Sequence, residues 1–322
     1  MRALIDSGTT RTRLRVVRSE EVLWSGEAGV GARDVAASGS SAALRRAIAD
    51  LLAQARQVAG VTELVCSGMI TSNVGLIEVP HQLAPAGAAE LARAVVRADL
   101  AEFAAPCFLI PGIKTLPGAL GWDTLHQADV LRGEEVEVLG LRRLLGLSAA
   151  TFLHLGSHPK SVEVDTAGRI LGSRTSLAGE LLAAVAEYTV LAGSVLPLSD
   201  WTTPSPAHWR RGLHDARTHG LGRALFMVRL GQVLLHASPE DLSAYLLGAV
   251  STQTLNLLAS PGVGPLVLYG PGGWAHLLAE EARALGWSEV TVADPETTVR
   301  ASVLGPQLIM AARAELTGEA NA

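Results

Sequence analysis

Ala3, Leu4 and Ile5 form a short apolar run that stops at Asp6. The small polar residues Ser7, Gly8, Thr9 and Thr10 follow, and then Leu14 and Val16 alternate with Arg13 and Arg15. Alternation with period two marks a half-buried strand. The chain therefore opens as strand, polar turn, strand, with one carboxylate at the mouth of the turn. Residues 22–31 (VLWSGEAGVG) read as a third strand entering a Gly-rich loop. Three successive strands suggest a mixed sheet rather than a βαβ opening. Residues 41–58 follow a helical period, with Ser41 as cap and Leu44, Ile48, Leu51, Leu52 and Ala55 on one face. Residues 64–69 read as a buried strand, 71–75 as a polar loop, 80–87 as turns, 88–100 as a helix and 107–110 as a short strand. Pro111-Gly112 is the expected domain boundary. Residues 114–122 read as irregular. A helix is expected from about 127 to 145, its early turns acidic where the helix dipole favours negative charge.

The second half opens as the first did. Residues 151–155 form a strand, 156–160 (GSHPK) a polar turn, and 161–165 with 169–173 a hairpin across Ala167-Gly168. Helices are expected over 179–191, 206–217, 221–236 and 238–258. Ser238-Pro239-Glu240-Asp241 sets cap, first-turn proline and acids in helix-starting order. A buried strand at 266–269 runs into Gly270-Pro271-Gly272-Gly273-Trp274, followed by a helix (275–285), a strand (289–292) and a final helix (297–316). Two domains are expected, 1–111 and 112–322, with the last helix packing back on the N-terminal one.

Composition narrows the classes. The 322 residues are 48% hydrophobic and 18% charged, enough to bury a large core. The net charge of −5 and the scattered arginines argue against nucleic-acid binding, for which a basic excess must replace phosphate counterions. Cys66 and Cys107, the two cysteines, both lie in apolar runs and read as buried thiols. Two are too few for a disulfide scaffold or a four-cysteine zinc site. Neither a signal peptide's apolar block nor a membrane-length apolar stretch is present, so a cytoplasmic protein without membrane association is expected.

The candidate chemistry sits in the turns. Gly8 allows the backbone to wrap an anion with its N–H groups, aided by the hydroxyls of Thr9 and Thr10. Asp6 suits Mg²⁺ held through water. The plain alternative is a hairpin whose Asp caps its own turn. Gly156 to Lys160 and Gly270 to Gly273 are two further small-residue turns at strand ends. A pair of domains each presenting such a turn could grip β- and γ-phosphates from opposite sides, the third turn passing close to a nucleoside. A G-x-G-x-x-G helix opening after the first strand is missing, which argues against a dinucleotide site.

The order of these turns resembles the hexokinase–actin-like ATPases. More closely, the stretches DSGTTRTRLRVV, CSGMITSNVGLIEVP, FLIPGIKTL, DVLRGEEVEVLGL, LGSHPKSVEVD, TSLAGELLAAV and YLLGAV are similar to successive motifs of the 2-dehydro-3-deoxygalactonokinase family. The resemblance implies a two-domain α/β actin-like ATPase (ribonuclease H-like) fold with mixed sheets and a central cleft. It implies an ATP- and Mg²⁺-dependent kinase acting on the 6-hydroxyl of a 2-keto-3-deoxy sugar acid, 2-dehydro-3-deoxy-D-galactonate, in galactonate breakdown. A kinase for another such acid, or a non-catalytic sensor on the same fold, are the alternatives, and a homodimer is compatible with either. Asp6 would position Mg²⁺. Gly8, Thr9, Thr10, Gly156, Ser157, His158 and Lys160 would contact phosphate, and Gly270, Gly272 and Gly273 the nucleoside. The general base is expected among Asp129, Glu134 and Glu135, with Glu134 favoured; successive helical side chains point about 100° apart, so one of the two glutamates faces a cleft. Arg132 is expected to hold the substrate carboxylate in its guanidinium fork. Ser72, Asn73, Gly29, Glu135 and Glu180 complete the expected sugar-acid contacts. Ser161 stands where the family has Trp, Ala178 where it has Thr, and Ser157 keeps the hydroxyl of a Thr.

Overall fold

The computed structural model describes residues 1–201, 204–258, 262, 264–271 and 273–318. The chain divides into two compact units. Unit 1 comprises 1–149, 164–173 and 296–322; unit 2 comprises 150–163 and 174–295. The expected boundary at 111 and 112 lies inside unit 1, and the last helix belongs to unit 1 almost entirely.

Unit 1 is built on a six-stranded sheet. Its opening strands β1 (Arg2–Ser7), β2 (Thr12–Arg18) and β3 (Glu21–Ala28) form an antiparallel meander. Helices α1 (Ala32–Ser38) and α2 (Ala42–Arg56) follow, then β4 (Glu63–Gly68), which pairs parallel with β1. Leu44, Ile48, Leu51, Leu52 and Ala55 of α2 are all buried, the face that the period marked. Each fully buried Leu or Ile contributes roughly 1.5–3 kcal/mol. Beyond them come β5 (Gln82–Leu83), α3 (Ala88–Ala94), β6 (Val96–Leu100), β7 (Ala105–Leu109), β8 (Ile113–Thr115), β9 (Asp129–Leu131) and α4 (Glu134–Leu144). The sheet order is β3-β2-β1-β4-β7-β6, and β5-β8-β9 form a small separate sheet.

Unit 2 carries most of a five-stranded sheet of order β12-β11-β10-β13-β14, formed by β10 (Ala150–His154), β11 (Lys160–Val164), β12 (Ile170–Thr175), β13 (Leu266–Tyr269) and β14 (Val290–Val292). The tip of the β11–β12 hairpin belongs to unit 1. Helices α5 (Ala178–Tyr188), α6 (Pro206–His219), α7 (Leu221–Leu235), α8 (Pro239–Leu255) and α9 (Ala275–Ala284) surround a core that includes Trp209, Leu246, Leu268 and Leu278. The chain ends in α10 (Pro295–Thr317). Ser238 caps α8 as its start signal predicts, its hydroxyl accepting from the Asp241 N–H at 3.1 Å.

Four local expectations are corrected. Residues 88–100 are not one helix: α3 ends at Ala94, and Val96–Leu100 becomes an edge strand antiparallel to β7. Sheet pairing overrides the modest helical period there. The helix expected from 127 begins at Glu134, because Asp129–Leu131 pairs with β8 and Gly133 takes φ +114°. The stretch read as irregular from 114 starts inside β8, and the loop after Gly29 becomes α1.

Candidate active site

In unit 1 the carboxyl ends of the parallel strands β1 and β4 meet the head of α4. Ligands of open α/β sheets bind at such ends. Asp6 pairs in register with Ser67, and Ser7 with Gly68. The Gly8 N–H donates to the Arg11 carbonyl at 2.8 Å, tightening the turn. The first N–H groups of α1 donate back to it, Ala32 to the Gly8 carbonyl (3.1 Å) and Arg33 to that of Thr9 (2.9 Å). Thr10 is exposed and Thr9 half-buried at the crest. Gly29 is exposed, while Gly31 packs on the turn itself.

Two glycines set the spacing of this end. Gly68 has φ +81°, and a Cβ there would lie 2.6 Å from the Ser7 carbonyl oxygen and 2.8 Å from Asp6 Oδ1. Gly133 has φ +114°, and its Cβ would fall 3.2 Å from Gly68 Cα. Backbone thus meets backbone with no side chain between, in conformations that suit glycine alone. This contact seats the N-terminus of α4 beside Asp6.

The acids of α4 fold onto that N-terminus. Glu134 Oε2 accepts from the Arg132 N–H at 3.2 Å and Glu135 Oε2 from the Gly133 N–H at 2.7 Å, satisfying donors that a helix start leaves open. Glu135 is fully buried, and its second oxygen, Oε1, finds no hydrogen-bond partner among the described residues. Burial, and then the neighbouring Glu134 charge, push its carboxyl up to about 8. Glu137, one turn on, is also pushed up to about 8, by burial and then by Asp6 and Glu134. Burial raises the Asp6 carboxyl too; Arg13, 3.6 Å away, and Arg15 oppose the shift, and Glu134 adds to it. Asp6, Glu134 and Glu137 therefore form one interacting acidic group flanked by two arginines. Asp129 lies on β9, its Oδ1 accepting the Val130 N–H at 2.7 Å, and is not among the charges that shift Asp6.

Arg132 spends its fork on the protein. Nη1 donates to the Thr71 carbonyl (2.5 Å) and hydroxyl (2.6 Å), and Nη2 to the Val79 carbonyl (2.9 Å) and a His81 ring nitrogen (3.1 Å). Burial and the adjacent guanidinium lower His81 to about 4, so its ring stays neutral and able to accept. The fork fixes the 71–81 loop, which holds Ser72 and Asn73. Ser72 is buried with its hydroxyl on the Met69 carbonyl, and Asn73 is exposed.

Unit 2 has its own strand-end turn. Gly156 to Pro159 is braced by α5: the Glu180 N–H donates to the Ser157 carbonyl at 3.0 Å, and a Cβ on Gly179 would strike the Gly156 carbonyl oxygen at 2.4 Å. His158 Nε2 sits 3.3 Å from Glu180 Oε1, so Glu180 lies beside the strand-end turn of unit 2. Lys160, the first residue of β11, is buried, so it is not a swinging surface charge. Gly270 backs onto the Leu155 carbonyl, Gly273 is exposed, and Gly272 lies outside the described residues. Beside the turn opens a cavity of about 270 Å³, walled by Leu182, Leu198, Trp201, Leu247, Val250 and Trp274 and also touched by Gly156, Ser157 and Ala178.

The residue patterns alone did not single out Glu137, His81 or this cavity. Glu137 was legible, three residues past Glu134 on one helical face. His81 and the cavity are assembled from segments distant in sequence and leave no local signal. Among the described residues, no three His, Cys, Asp or Glu gather closely enough to hold a metal ion by themselves. A cation at Asp6 would thus draw most of its ligands from water and substrate, which is how Mg²⁺ is usually bound. No described helix is long and apolar enough to cross a membrane.

A family model described as 2-keto-3-deoxy-galactonokinase matches residues 6–304. A probable 2-dehydro-3-deoxygalactonokinase of Rhizobium meliloti (strain 1021) is 29% identical over 94% of each chain. The 2-dehydro-3-deoxygalactonokinase of Escherichia coli (strain K12) is 26% identical, covering 76% of this chain and 75% of that one. A crystal structure of a Sinorhizobium meliloti protein assigned as a 2-dehydro-3-deoxygalactonokinase superposes with a TM-score of 0.76 at 24% identity, over 95% of this chain and 96% of that one. The sheets, the paired turns and these likenesses agree on an actin-like ATPase fold, and the chain belongs to the 2-keto-3-deoxy-galactonokinase family.

Proposed function

We propose that this chain transfers the terminal phosphoryl group of ATP to the 6-hydroxyl of 2-dehydro-3-deoxy-D-galactonate, in the cytoplasm. The observation that carries the reading is the seating of Glu134, at the head of α4, within electrostatic reach of Asp6 at the end of β1. Phosphoryl transfer requires positioning, charge neutralisation and an acceptor for the hydroxyl proton. Glu134 takes that proton. Asp6 would hold Mg²⁺ through water, and the bound ion would supply charge neutralisation for the transferring phosphoryl group. In unit 1, Gly8, Thr9 and Thr10 form a phosphate-binding turn; in unit 2, Gly156, Ser157, His158 and Lys160 form another. The nucleoside occupies the unit 2 cavity near Gly270 and Gly273. Arg132 acts through the 71–81 loop, presenting Ser72 and Asn73 to the sugar acid.

Family membership and the presence of both carboxylates favour catalysis over sensing, since a sensor needs no proton acceptor. The test is coupled ADP release by the purified chain with Mg²⁺, across 2-dehydro-3-deoxy-D-galactonate, its gluconate-derived epimer and neutral hexoses. Turnover is expected with the galactonate-derived acid. Turnover with the epimer alone reassigns the substrate, and none with any acceptor overturns the kinase reading.

A further inference from the structure

The cavity beside the unit 2 turn is a half-open, mainly apolar pocket. Among its described lining residues there is no charged side chain and no amide. Its polar side chains are the hydroxyls of Ser157, Ser251 and Thr254 and the indoles of Trp201 and Trp274. Three of these are already engaged: the Ser157 hydroxyl pairs with His158 Nδ1 at 3.4 Å, the Ser251 hydroxyl donates to the Leu247 carbonyl at 2.8 Å, and the Trp201 N–H donates to the Leu196 carbonyl at 2.9 Å. The remaining surface is aliphatic and aromatic, from Leu155, Leu182, Leu198, Leu247 and Val250 and the two indole rings. Such walls reward a flat ring by burial and stacking contact. They carry little with which to tell one ring edge from another.

We propose that this cavity selects the nucleotide base by shape, so that GTP and ITP serve as phosphoryl donors alongside ATP. The inference rests on the placement of the nucleoside in unit 2 given above. Adenine, guanine and hypoxanthine share a ring outline and differ in the donors and acceptors on their edges. A site built to hydrogen-bond one edge rejects the wrong one by about 10⁴–10⁵-fold, because its own buried polar groups are left unpaired. A site that only encloses the ring discriminates by about 10–200-fold. The lining falls in the second class. Pyrimidines fill less of the cavity and bury less apolar surface, so they bind more weakly than any of the three purines.

Tryptophan fluorescence gives a binding readout independent of turnover, because Trp201 and Trp274 line the cavity. The full-length protein is titrated with ADP, GDP, IDP and CDP, and Trp201→Phe and Trp274→Phe variants identify the reporting rings. In parallel, kcat/KM is measured for ATP, GTP and ITP with the same sugar acid. Dissociation constants for the three purine diphosphates and kcat/KM for the three triphosphates are each expected to agree within about 10²-fold, with CDP weaker. A preference for ATP beyond that range, or CDP binding as tightly as ADP, overturns selection by shape while leaving the kinase reading intact. If ATP turns over but ADP perturbs neither indole, the nucleoside lies elsewhere and the inference falls with that placement.

Discussion

Glu135 shows how a carboxylate at the head of a helix can be structural. It is fully buried and bonds to the Gly133 amide, and its carboxyl is pushed up to about 8 from an ordinary value near 4.5. The folded state therefore binds this proton more tightly than the unfolded chain does. The stability that results is complete below pH 4.5 and is lost as pH rises toward 8, by at most about 1.4 kcal/mol per pH unit. Glu135→Gln, which mimics the neutral acid, is expected to lose less stability than the wild type between about pH 5 and 8 in urea denaturation. Some slope persists in the variant, because Glu137 shifts in the same direction. Parallel stability curves for the two proteins would show that Glu135 does not titrate late. The proposed proton acceptor is the neighbouring Glu134 instead, and Glu134→Gln should then lower kcat by about 10²-fold or more. Asp129→Asn, on β9, should leave kcat within a few-fold; a large drop there alone would move the base to Asp129.

Helices α4 and α10 touch through glycines, and that contact is a property of the elements. A Cβ on Gly305 would lie 1.8 Å from the Val136 carbonyl oxygen, and one on Gly140 2.1 Å from that of Ala301. Gly→Ala inside a helix normally gains up to about 1 kcal/mol in propensity. Overpacking against rigid backbone costs typically about 1–3 kcal/mol or more, so the clash wins here. Gly305→Ala is expected to be destabilised by about 2 kcal/mol in chemical denaturation. Gly222→Ala, on α7 with nothing within 4 Å of the added carbon, should be neutral or up to about 1 kcal/mol more stable. The same substitution would then have opposite signs at two helical sites, and equal effects would refute the packing account. Because α4 carries Glu134, this contact also helps to hold the head of the helix against Gly68.

At the scale of the molecule, one strand plan appears twice. The orders β3-β2-β1-β4-β7 and β12-β11-β10-β13-β14 both run backward through three successive strands and then forward through two more. The sequence hinted at this through its two strand–turn–strand openings, at Asp6 and at Gly156, and through the period-two run that became β2. It determined the amphipathic face of α2, the cap of α8, the buried cysteines and the small-residue turns after Asp6 and at Gly156, because each depends on neighbours within a few positions. Periodicity failed where partners are distant. Val96–Leu100 became a strand because β7 was there to pair with it, and Asp129–Leu131 because β8 was. Local sequence placed carboxylates at 129, 134, 135 and 137; tertiary structure decided which of them meets Asp6. Arg132 looked like a ligand for an anion until the Thr71, Val79 and His81 acceptors closed around its fork. The turn at Asp6 to Thr10 was thus written in the sequence as a local conformation. Its acidic neighbours arose only when Gly133 met Gly68 across the fold, because charge coupling depends on distance in space and not along the chain.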